Sequence, residues 1–568
     1  MPTWKLNLFS SYINFVLLLQ ITSITSAFAS SLPTPPNFSS PHIVIIIIDD
    51  WGWNNFGLHS KTQENKDEIQ TPNLDSLANN GIILDRFYAF RFCSPSRSAL
   101  LSGRNPIHVN ILNSPLSVYN ASDPISGAAG IPQNMTTISE RLRDAKYFTA
   151  HTGKWHAGLF SKKVTPFGRG FNRTLGYLAG YNDYYTQQTG DWCNDNLYTD
   201  LYTVNNEPAY GLNNSQSCSQ TNQSNKCIYE DDLFTDYALS AIDESVILNK
   251  PLFLYYAPHA CHQPLQVPNE YVTKFSFICV NDTSVQCQYR LMYAALVNSI
   301  DDHIGRVISK LKENAMYDNT IILTLADNSG PIYGEPGFTC TLCDGAAGGN
   351  NYPLRGGKHS NFEGGVRVNA FMSGGLIPIE RRGATVTGLI SIEDMFTSLL
   401  SLANIDPFDH QGAAANLPKV DGLNLIDYIF GRNNTNPRTE IILGSGIGGA
   451  ADGDTMVQAL IRQDGYKCII ASLNNAIWQG PFYPNSSTLW NNSNIDCGNS
   501  GCLFNVFTDP SEYIDIAKQE PEILAEMLQR IQEIQKTVFS PQRGLPSPLA
   551  CQVSRDKCRG FICPFIDD

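Results

Sequence analysis

The chain has 568 residues, of which 42% are hydrophobic and 16% charged, and its formal net charge is −14. This length exceeds the size at which one hydrophobic core keeps growing, which favours a large domain with a smaller one, and the composition excludes a mostly disordered chain. The acidic balance argues against nucleic acid as a partner, because affinity for phosphate backbones comes chiefly from clustered Lys and Arg.

The N-terminus has the pattern of a secretory signal peptide. Lys5 precedes an apolar stretch over residues 12–21, and residues 27–29 offer a small-residue cleavage site. The apolar stretch is short and interrupted, whereas a membrane span needs about 20 mainly apolar residues. We therefore expect a signal peptide over residues 1–29, a flexible mature N-terminus over 30–40, no stable membrane anchor, and a secreted, extracellular or lysosomal product.

Two further features agree with export. The 15 cysteines are an odd number, so at least one stays unpaired in an oxidising compartment. Asn-x-Ser/Thr acceptors, which would be surface glycosylation sites in an exported chain, are also numerous. They are Asn37, Asn120, Asn134, Asn172, Asn213, Asn222, Asn281, Asn433, Asn485 and Asn491.

Four short apolar runs each end in a polar cluster. They are Ile43 to Ile48 before Asp49 and Asp50, Tyr147 to Ala150 before Lys154 and His156, Pro251 to Tyr256 before His259 and His262, and Ile321 to Leu325 before Asp327 and Asn328. Such runs suit strands buried on both faces of a parallel sheet, and helical patterns over 135–144 and 289–311 separate them. Each run alone is more simply a core strand with a polar loop. Because ligand sites lie beyond the carboxyl ends of parallel strands, we expect all four clusters to meet at one edge.

The paired carboxylates suggest a metal site. Asp49 and Asp50 would repel each other unless a cation or hydrogen bonds compensate. Hard divalent cations prefer oxygen ligands, and Asp327 and Asn328 would add a carboxylate and an amide carbonyl. A solvated Asp-Asp turn is the simpler interpretation of the first pair by itself.

The most informative segment is residues 93–104, Cys-Ser-Pro-Ser-Arg-Ser-Ala-Leu-Leu-Ser-Gly-Arg. Ser94 suits a helix N-cap and Pro95 the first helical turn, which would put Cys93 at a helix entrance that favours anions. The alternative is a half-cystine beside a capped helix.

The character of the chain changes after Gly422. Short strand-like runs over 455–472 flank an Asp464-Gly465 turn, and residues 520–537 have the pattern of an amphipathic helix. We predict a domain over 41–422 and a smaller C-terminal domain of antiparallel sheet plus helix over 423–568.

Two other motifs carry less weight. Residues 444–449 match Gly-x-Gly-x-x-Gly, but no long helix follows and the Asp464 turn favours a hairpin over a dinucleotide-binding unit. Cys340 and Cys343 form Cys-x-x-Cys without a second pair at zinc spacing, which favours disulfide bonds.

Residues 93–104 resemble the signature of the sulfatase family, Cys-x-Pro-Ser-Arg followed by Leu-x-Gly-Arg, in which a maturing enzyme oxidises the cysteine to formylglycine. The resemblance spans roughly residues 41–540 and is strongest toward the arylsulfatase B type, which act on N-acetylgalactosamine 4-sulfate. Four more blocks are similar to the family in the expected order. They are residues 49–54, 153–158, 262–268 and 354–365.

The resemblance implies an α/β, alkaline-phosphatase-like fold, with a mixed, mostly parallel central sheet flanked by helices, and one Ca²⁺ per chain. It implies that the metal ligands are Asp49, Asp50, the modified Cys93, Asp327 and Asn328. It also implies catalytic roles: Arg97 holds the formylglycine hydrate, Lys154 and Lys358 bind sulfate oxygens, His262 protonates the leaving alcohol and His156 takes the proton of the remaining hydroxyl. The implied partners are a sulfated glycan substrate and the formylglycine-generating enzyme, while the oligomeric state stays open.

The need for formylglycine has a chemical reason. A serine would form a stable sulfate ester, whereas a gem-diol keeps one hydroxyl whose deprotonation expels sulfate by C–O cleavage. Converting Cys93 would also leave an even number of cysteines, compatible with full pairing. His259 lies outside the matched blocks, and we consider it a possible specificity residue.

Two alternatives remain at this point. One is a phosphomonoester or phosphodiester hydrolase of the same superfamily. The other is an inactive, sulfatase-like carbohydrate-binding protein, although such a protein would need no proton-transfer pair.

Overall fold

The computed structural model describes residues 40–567 apart from ten short segments. These segments are 61–66, 111–115, 194–195, 204–206, 213–217, 224–226, 333–346, 445–456, 474–475 and 485–494. The predicted signal peptide and all but the last residue of the predicted flexible start therefore lie outside the described residues. From Ser40 onward the chain forms one compact unit. Within the part of the chain that is described, every helix is too short or too polar to cross a bilayer.

The described strands number twenty-two. In chain order they are β1 (His42–Ile48), β2 (Ile82–Leu84), β3 (Phe87–Tyr88), β4 (Val118–Tyr119), β5 (Phe148–Lys154), β6 (Arg173–Tyr177), β7 (Gln188–Cys193), β8 (Asn196–Thr199), β9 (Tyr202–Thr203), β10 (Glu207–Pro208), β11 (Leu252–Ala257), β12 (Thr320–Ala326), β13 (Ala370–Ser373), β14 (Ala384–Val386), β15 (Ile390–Ser391), β16 (Glu440–Gly444), β17 (Val457–Arg462), β18 (Tyr466–Ile469), β19 (Ser472–Leu473), β20 (Ile495–Asp496), β21 (Cys502–Asn505) and β22 (Leu545–Pro546).

The helices vary from one turn to eight. The α-helices span Gly57–Ser60, Pro72–Asn79, Cys93–Ser102, Pro106–Val109, Ile138–Asp144, Glu230–Ile247, Asn269–Lys274, Val285–Glu313, Glu363–Val366, Asp394–Leu402, His410–Ala414, Ile426–Ile429, Pro521–Gln535 and Pro548–Asp556. Short 3₁₀ turns span Trp53–Asn55, Lys162–Val164, Ser276–Cys279, Tyr317–Asn319 and Ile379–Arg381.

A ten-stranded mixed sheet forms the centre of the fold, in the order β10-β9-β6-β5-β11-β1-β12-β13-β2-β14. The five strands from β6 to β12 in this order are parallel to one another. Strand β1 lies between β11 and β12, and all seven of its residues are buried. Its uninterrupted apolar run fits this position, because both faces of a parallel strand are covered. The predicted α/β class with a mostly parallel sheet is confirmed.

Two long helices pack beside the parallel strands. The helix Glu230–Ile247 contacts β5 and β11, and the helix Val285–Glu313 packs against it. Ser284 caps the second of these by accepting a hydrogen bond from the Cys287 N–H, and two lysines in its last turn complement the helix dipole.

The sequence patterns located the main elements with small errors at their ends. The helix predicted over 135–144 begins at Ile138, because Thr137 forms a capping box with Glu140. The strand predicted over 147–150 runs on to Lys154, so this lysine is the last residue of β5.

The C-terminal region contains a four-stranded antiparallel sheet in the order β16-β17-β18-β21. The hairpin between β17 and β18 turns at Asp464 and Gly465, as predicted, and the φ of +89° at Gly465 explains the glycine. The helix Pro521–Gln535 supplies Ile531 to the core on one face of the sheet. A small antiparallel sheet with a helix is therefore confirmed, while the domain boundary at 422/423 stays a prediction. Most of the Gly-x-Gly-x-x-Gly motif lies outside the described residues.

The end of the chain returns to the first part of the fold. Strand β22 pairs with β4, and the helix Pro548–Asp556 adds Ala550 and Val553 to the main hydrophobic core. The last described residues thus help to close the core that carries the large sheet.

Candidate active site

The four predicted polar clusters meet at the carboxyl end of the parallel strands. Asp49 and Asp50 follow β1, and Asp327 and Asn328 follow β12. Lys154 ends β5, and the loop after β11 carries His262. All six of these side chains are buried. The expectation that they would share one edge of the sheet is confirmed.

Cys93 is the first residue of the helix Cys93–Ser102 and is 1% exposed. Its Sγ lies 3.6 Å from Asp49 Oδ1, and burial raises the pKa of the thiol well above its ordinary value. The prediction of Ser94 as the N-cap is wrong, because the helix starts two residues earlier, with Phe92 as N-cap. The Ser96 hydroxyl oxygen instead accepts a hydrogen bond from the Phe90 N–H, which links the first turn of the helix to the preceding segment.

Three cations compensate three carboxylates in this cluster. Lys154 Nζ lies 2.5 Å from Asp49 Oδ2, and Lys358 Nζ lies 2.9 Å from Asp50 Oδ2. The guanidinium of Arg97 donates to Asp327 at 2.8 Å and lies 3.7 Å from Asp49. Burial alone would raise the pKa of Asp49, but the neighbouring cations, Lys154 foremost, lower it below its ordinary value. The Asp49 carboxylate is therefore held as an anion.

The donor atoms of this cluster suit a hard divalent cation. Ligand atoms of Asp49, Asp50, Cys93 and His262 all lie within 4.8 Å of one another. The Asn328 Nδ2 donates to Asp50 Oδ1 at 2.7 Å, which leaves its buried Oδ1 without a hydrogen-bond partner. A buried carbonyl oxygen beside two carboxylates is the ligand type that Ca²⁺ and Mg²⁺ prefer. The oxygens of Asp49, Asp50 and Asn328 thus fit such an ion, whereas Asp327 is not among the four residues that converge.

Two histidines flank the cluster. His262 Nδ1 faces the Gln263 carbonyl oxygen at 2.7 Å, and its Nε2 lies 3.1 Å from Lys358 Nζ. Since a carbonyl only accepts, the proton of neutral His262 is on Nδ1 and Nε2 points toward the cluster. The pKa of His156 lies well below its ordinary value, mainly through burial and then through Lys154. His156 is therefore neutral and able to accept a proton.

Two residues of the site also have an unusual backbone conformation. Asp50 and His156 have φ values of +57° and +51°, in the left-handed region that few non-glycine residues adopt. Backbone strain of this kind concentrates at functional sites, where the surrounding packing holds it in place.

Sequence reasoning missed the residues that support His262. Tyr184 donates to the His262 carbonyl oxygen at 2.9 Å and stacks on His259 with ring centroids 3.8 Å apart. His259 is fully buried and its backbone N–H donates to Asp231. A tyrosine nearly eighty residues away gives no local signal for such a contact.

The even number of cysteines left after Cys93 is compatible with full pairing, but the structure does not use it in this way. Besides Cys93, the buried Cys261 and Cys468 are free. Buried cysteines in separate parts of the fold pack as small apolar groups. Cys340 and Cys343 lie outside the described residues. The described disulfides join Cys218 to Cys227, Cys279 to Cys287, Cys497 to Cys502 and Cys558 to Cys563.

Some predicted glycosylation acceptors lie on the surface. Asn172, Asn222, Asn281 and Asn433 are exposed, as a glycan would require. Of the others, Asn120 and Asn134 are half-buried, and the rest lie outside the described residues. Glycosylation itself stays a prediction.

Comparison with known proteins agrees with this geometry. The family model described as Sulfatase matches residues 41–405. Arylsulfatase J of Mus musculus is 31% identical over 88% of this chain and 76% of its own length. N-acetylgalactosamine-6-sulfatase of Canis lupus familiaris is 27% identical over 93% of this chain and 91% of its own length. The crystal structure of Ps i-CgsB superposes with a TM-score of 0.67 at 25% identity, covering 91% of this chain and 97% of that one.

Proposed function

The chain belongs to the sulfatase family and is a sulfuric ester hydrolase, and from this we propose that it cleaves sulfate esters of a glycan through a formylglycine derived from Cys93. The observation that carries the proposal is the position of Cys93. Its sulfur lies outside any disulfide and 3.6 Å from Asp49, in the centre of the buried ion cluster.

Residue 93 would supply the nucleophile. As a hydrated aldehyde it offers one hydroxyl to attack sulfur and a second whose deprotonation lets sulfate depart and restores the aldehyde. Arg97 would hold the hydrate, since its guanidinium pairs with Asp327 and lies 3.7 Å from Asp49, the carboxylate that contacts the Cys93 sulfur.

The other side chains would divide substrate binding and proton transfer. Lys154 and Lys358 carry ammonium groups on either side of the carboxylate pair and would bind the sulfate oxygens. His262, when it is protonated on both ring nitrogens and directs Nε2–H toward the cluster, would give that proton to the leaving alcohol. His156 would accept the proton of the second hydroxyl, since burial keeps it neutral.

We propose Ca²⁺ as the metal, held by Asp49, Asp50, Asp327, Asn328 and residue 93. A divalent cation in this position would neutralise the carboxylates and polarise a sulfate oxygen. The unpaired Asn328 Oδ1 and the paired aspartates support this assignment.

The proposed substrate is a sulfated glycan such as N-acetylgalactosamine 4-sulfate. The names of curated relatives include an N-acetylgalactosamine-6-sulfatase, which supports a sulfated amino sugar and leaves the 4- or 6-position to be tested. We further propose delivery through the secretory pathway, on the strength of the N-terminal pattern and the disulfides.

Mass spectrometry of the peptide containing residue 93 tests the proposal. Protein from a host that makes formylglycine should carry the aldehyde at residue 93 and should hydrolyse an aryl sulfate much faster than the matching aryl phosphate. An intact thiol in active protein would overturn the chemistry. Faster turnover of the phosphate ester would instead favour the phosphoester hydrolase.

A further inference from the structure

Among the described residues three arginines are less than 2% exposed, and Arg91 differs from the other two. Its side chain is 1% exposed, yet its Nε and Nη2 have no hydrogen-bond partner. Arg97 and Arg104 are equally buried, but each pairs with a carboxylate, at 2.8 Å and 2.7 Å. A buried cation without a counter-charge is unfavourable, which points to a ligand that completes its surroundings.

The position of Arg91 links it to the active site. It precedes Cys93 by two residues, and it is held by two hydrogen bonds to His359, the residue after Lys358. The His359 N–H donates to the Arg91 carbonyl at 2.9 Å, and Arg91 Nη1 donates to the His359 carbonyl at 3.3 Å. Arg91 therefore joins the two segments that carry the proposed nucleophile and a proposed sulfate ligand.

Charge balance indicates what Arg91 would bind. The three carboxylates of the cluster are already matched by Arg97, Lys154 and Lys358. Arg91 adds a further positive charge two residues before Cys93, and burial alone lowers its pKa only to about 9, so it stays protonated at neutral pH. Its two unpaired nitrogens, Nε and Nη2, form the edge of the guanidinium that can donate two parallel hydrogen bonds to a carboxylate or sulfate.

We propose that Arg91 forms an anion subsite next to the reaction centre, which binds a second anionic group of the glycan while the ester sulfate occupies the cluster. The preferred substrate is then a glycan with at least two anionic groups close together. This inference rests on the proposed sulfatase activity, and it adds a specificity that the activity itself does not require.

The test compares kcat/KM for three substrates of formylglycine-bearing enzyme: N-acetylgalactosamine with one sulfate, the same sugar with two sulfates, and a monosulfated disaccharide that carries a hexuronate. The wild type should prefer one of the two dianionic substrates by at least tenfold. The disulfated sugar identifies sulfate as the second group, and the hexuronate identifies carboxylate. A wild type without either preference overturns the inference, whereas no hydrolysis of any sulfate ester overturns the proposed function instead.

Variants then assign the preference to this residue. Arg91→Gln should reduce about tenfold the ratio of kcat/KM for the dianionic substrate to kcat/KM for the monoanionic substrate. Arg91→Lys keeps the charge but loses the paired N–H donors of the guanidinium, and it should reduce this ratio about threefold. Arg86→Gln is the matched control, because Arg86 lies on the same segment and contacts Thr387 and Phe507. An unchanged ratio in either folded Arg91 variant would contradict the assignment, and the lysine variant serves if the glutamine variant does not fold.

Discussion

Lys154 Nζ lies 2.5 Å from Asp49 Oδ2, and both side chains are completely buried. The pair places a positive charge at the end of β5 against a negative charge at the end of β1. Removing Asp49 would leave Lys154 buried without its paired carboxylate, and removing Lys154 would leave Asp49 with only the more distant Arg97, 3.7 Å away. Either loss costs more than the net contribution of an intact pair.

Lys154→Met should therefore reduce both catalysis and stability. Loss of one donor to the sulfate lowers kcat/KM by about a hundredfold or more. Asp49, left with only the more distant Arg97, lowers the free energy of unfolding by about 3 kcal/mol in the presence of a chelator. Calcium should restore part of the stability. Steady-state kinetics and urea denaturation measure the two effects. Lys162→Met, at an exposed pair with Glu207, should change neither, and a stable Lys154 variant would contradict the account.

Cys93→Ser should abolish turnover, because a serine sulfate has no second hydroxyl to expel the sulfate. We expect kcat for an aryl sulfate to fall by at least about a thousandfold, with the protein still folded. Cys468→Ala is the control, since Cys468 is a second buried, free cysteine in the C-terminal sheet. Comparable activity of the serine variant and the wild type would exclude the formylglycine chemistry.

Metal binding should depend on the unpaired oxygen of Asn328. In the wild type, calcium at a hundred times its Kd should stabilise the fold by about 2.7 kcal/mol, and a chelator should remove this gain. Asn328→Leu should show a much smaller calcium-dependent shift in Tm. Asn298→Leu, at a buried asparagine that bonds Lys274, should keep the full shift. Equal calcium responses in both variants would place the ion elsewhere.

His262→Gln should slow the hydrolysis of sugar sulfates more than that of aryl sulfates. A phenolate leaves without protonation, whereas a sugar alkoxide needs a proton from an acid within reach. We expect kcat to fall about a hundredfold or more for the sugar ester but only about tenfold for the aryl ester. His303→Gln, which removes a contact with Asp232, is the control. Equal losses on both substrates would argue against an acid role.

Stability should also respond to pH through Glu512, which lies with Glu363 around the buried Lys467. Burial raises the pKa of Glu512 to about 7. Because the folded form then binds a proton more tightly than the unfolded form, the stabilisation is complete below pH of about 4.5 and is lost as pH rises toward 7.

Glu512→Gln should flatten this decline. Denaturation at several pH values between 5 and 8 measures the slope, and Glu440→Gln, at a partly exposed pair with Arg530, should leave it unchanged. A variant that retains the wild-type slope would assign the decline to another group.

The sequence predicted the framework of the site because each part has a local signature. The run Ile43 to Ile48 is apolar at every position, and this pattern is typical of a strand that is buried on both faces. The polar residues that follow such strands then meet at one edge by topology alone. The catalytic roles came from the resemblance of whole sequence blocks to the sulfatase family, since a single histidine or lysine such as His262 or Lys358 does not indicate a function by itself.

The supporting contacts could not be predicted in this way. Tyr184 reaches the His262 loop across the fold, and the free Cys261 and Cys468 have no pattern that separates them from paired cysteines. The lack of a counter-charge at Arg91 is likewise a property of three-dimensional packing. Such features depend on which distant segments come into contact, whereas periodicity reports only on the neighbours of a residue.

The depth of residue 93 limits when it can be modified. At 1% exposure it is beyond the reach of another protein once the fold has closed. On the proposed chemistry, the formylglycine-generating enzyme would therefore have to act before folding is complete. Conditions under which the chain folds before the enzyme has modified residue 93 would yield a well-folded protein without the proposed nucleophile.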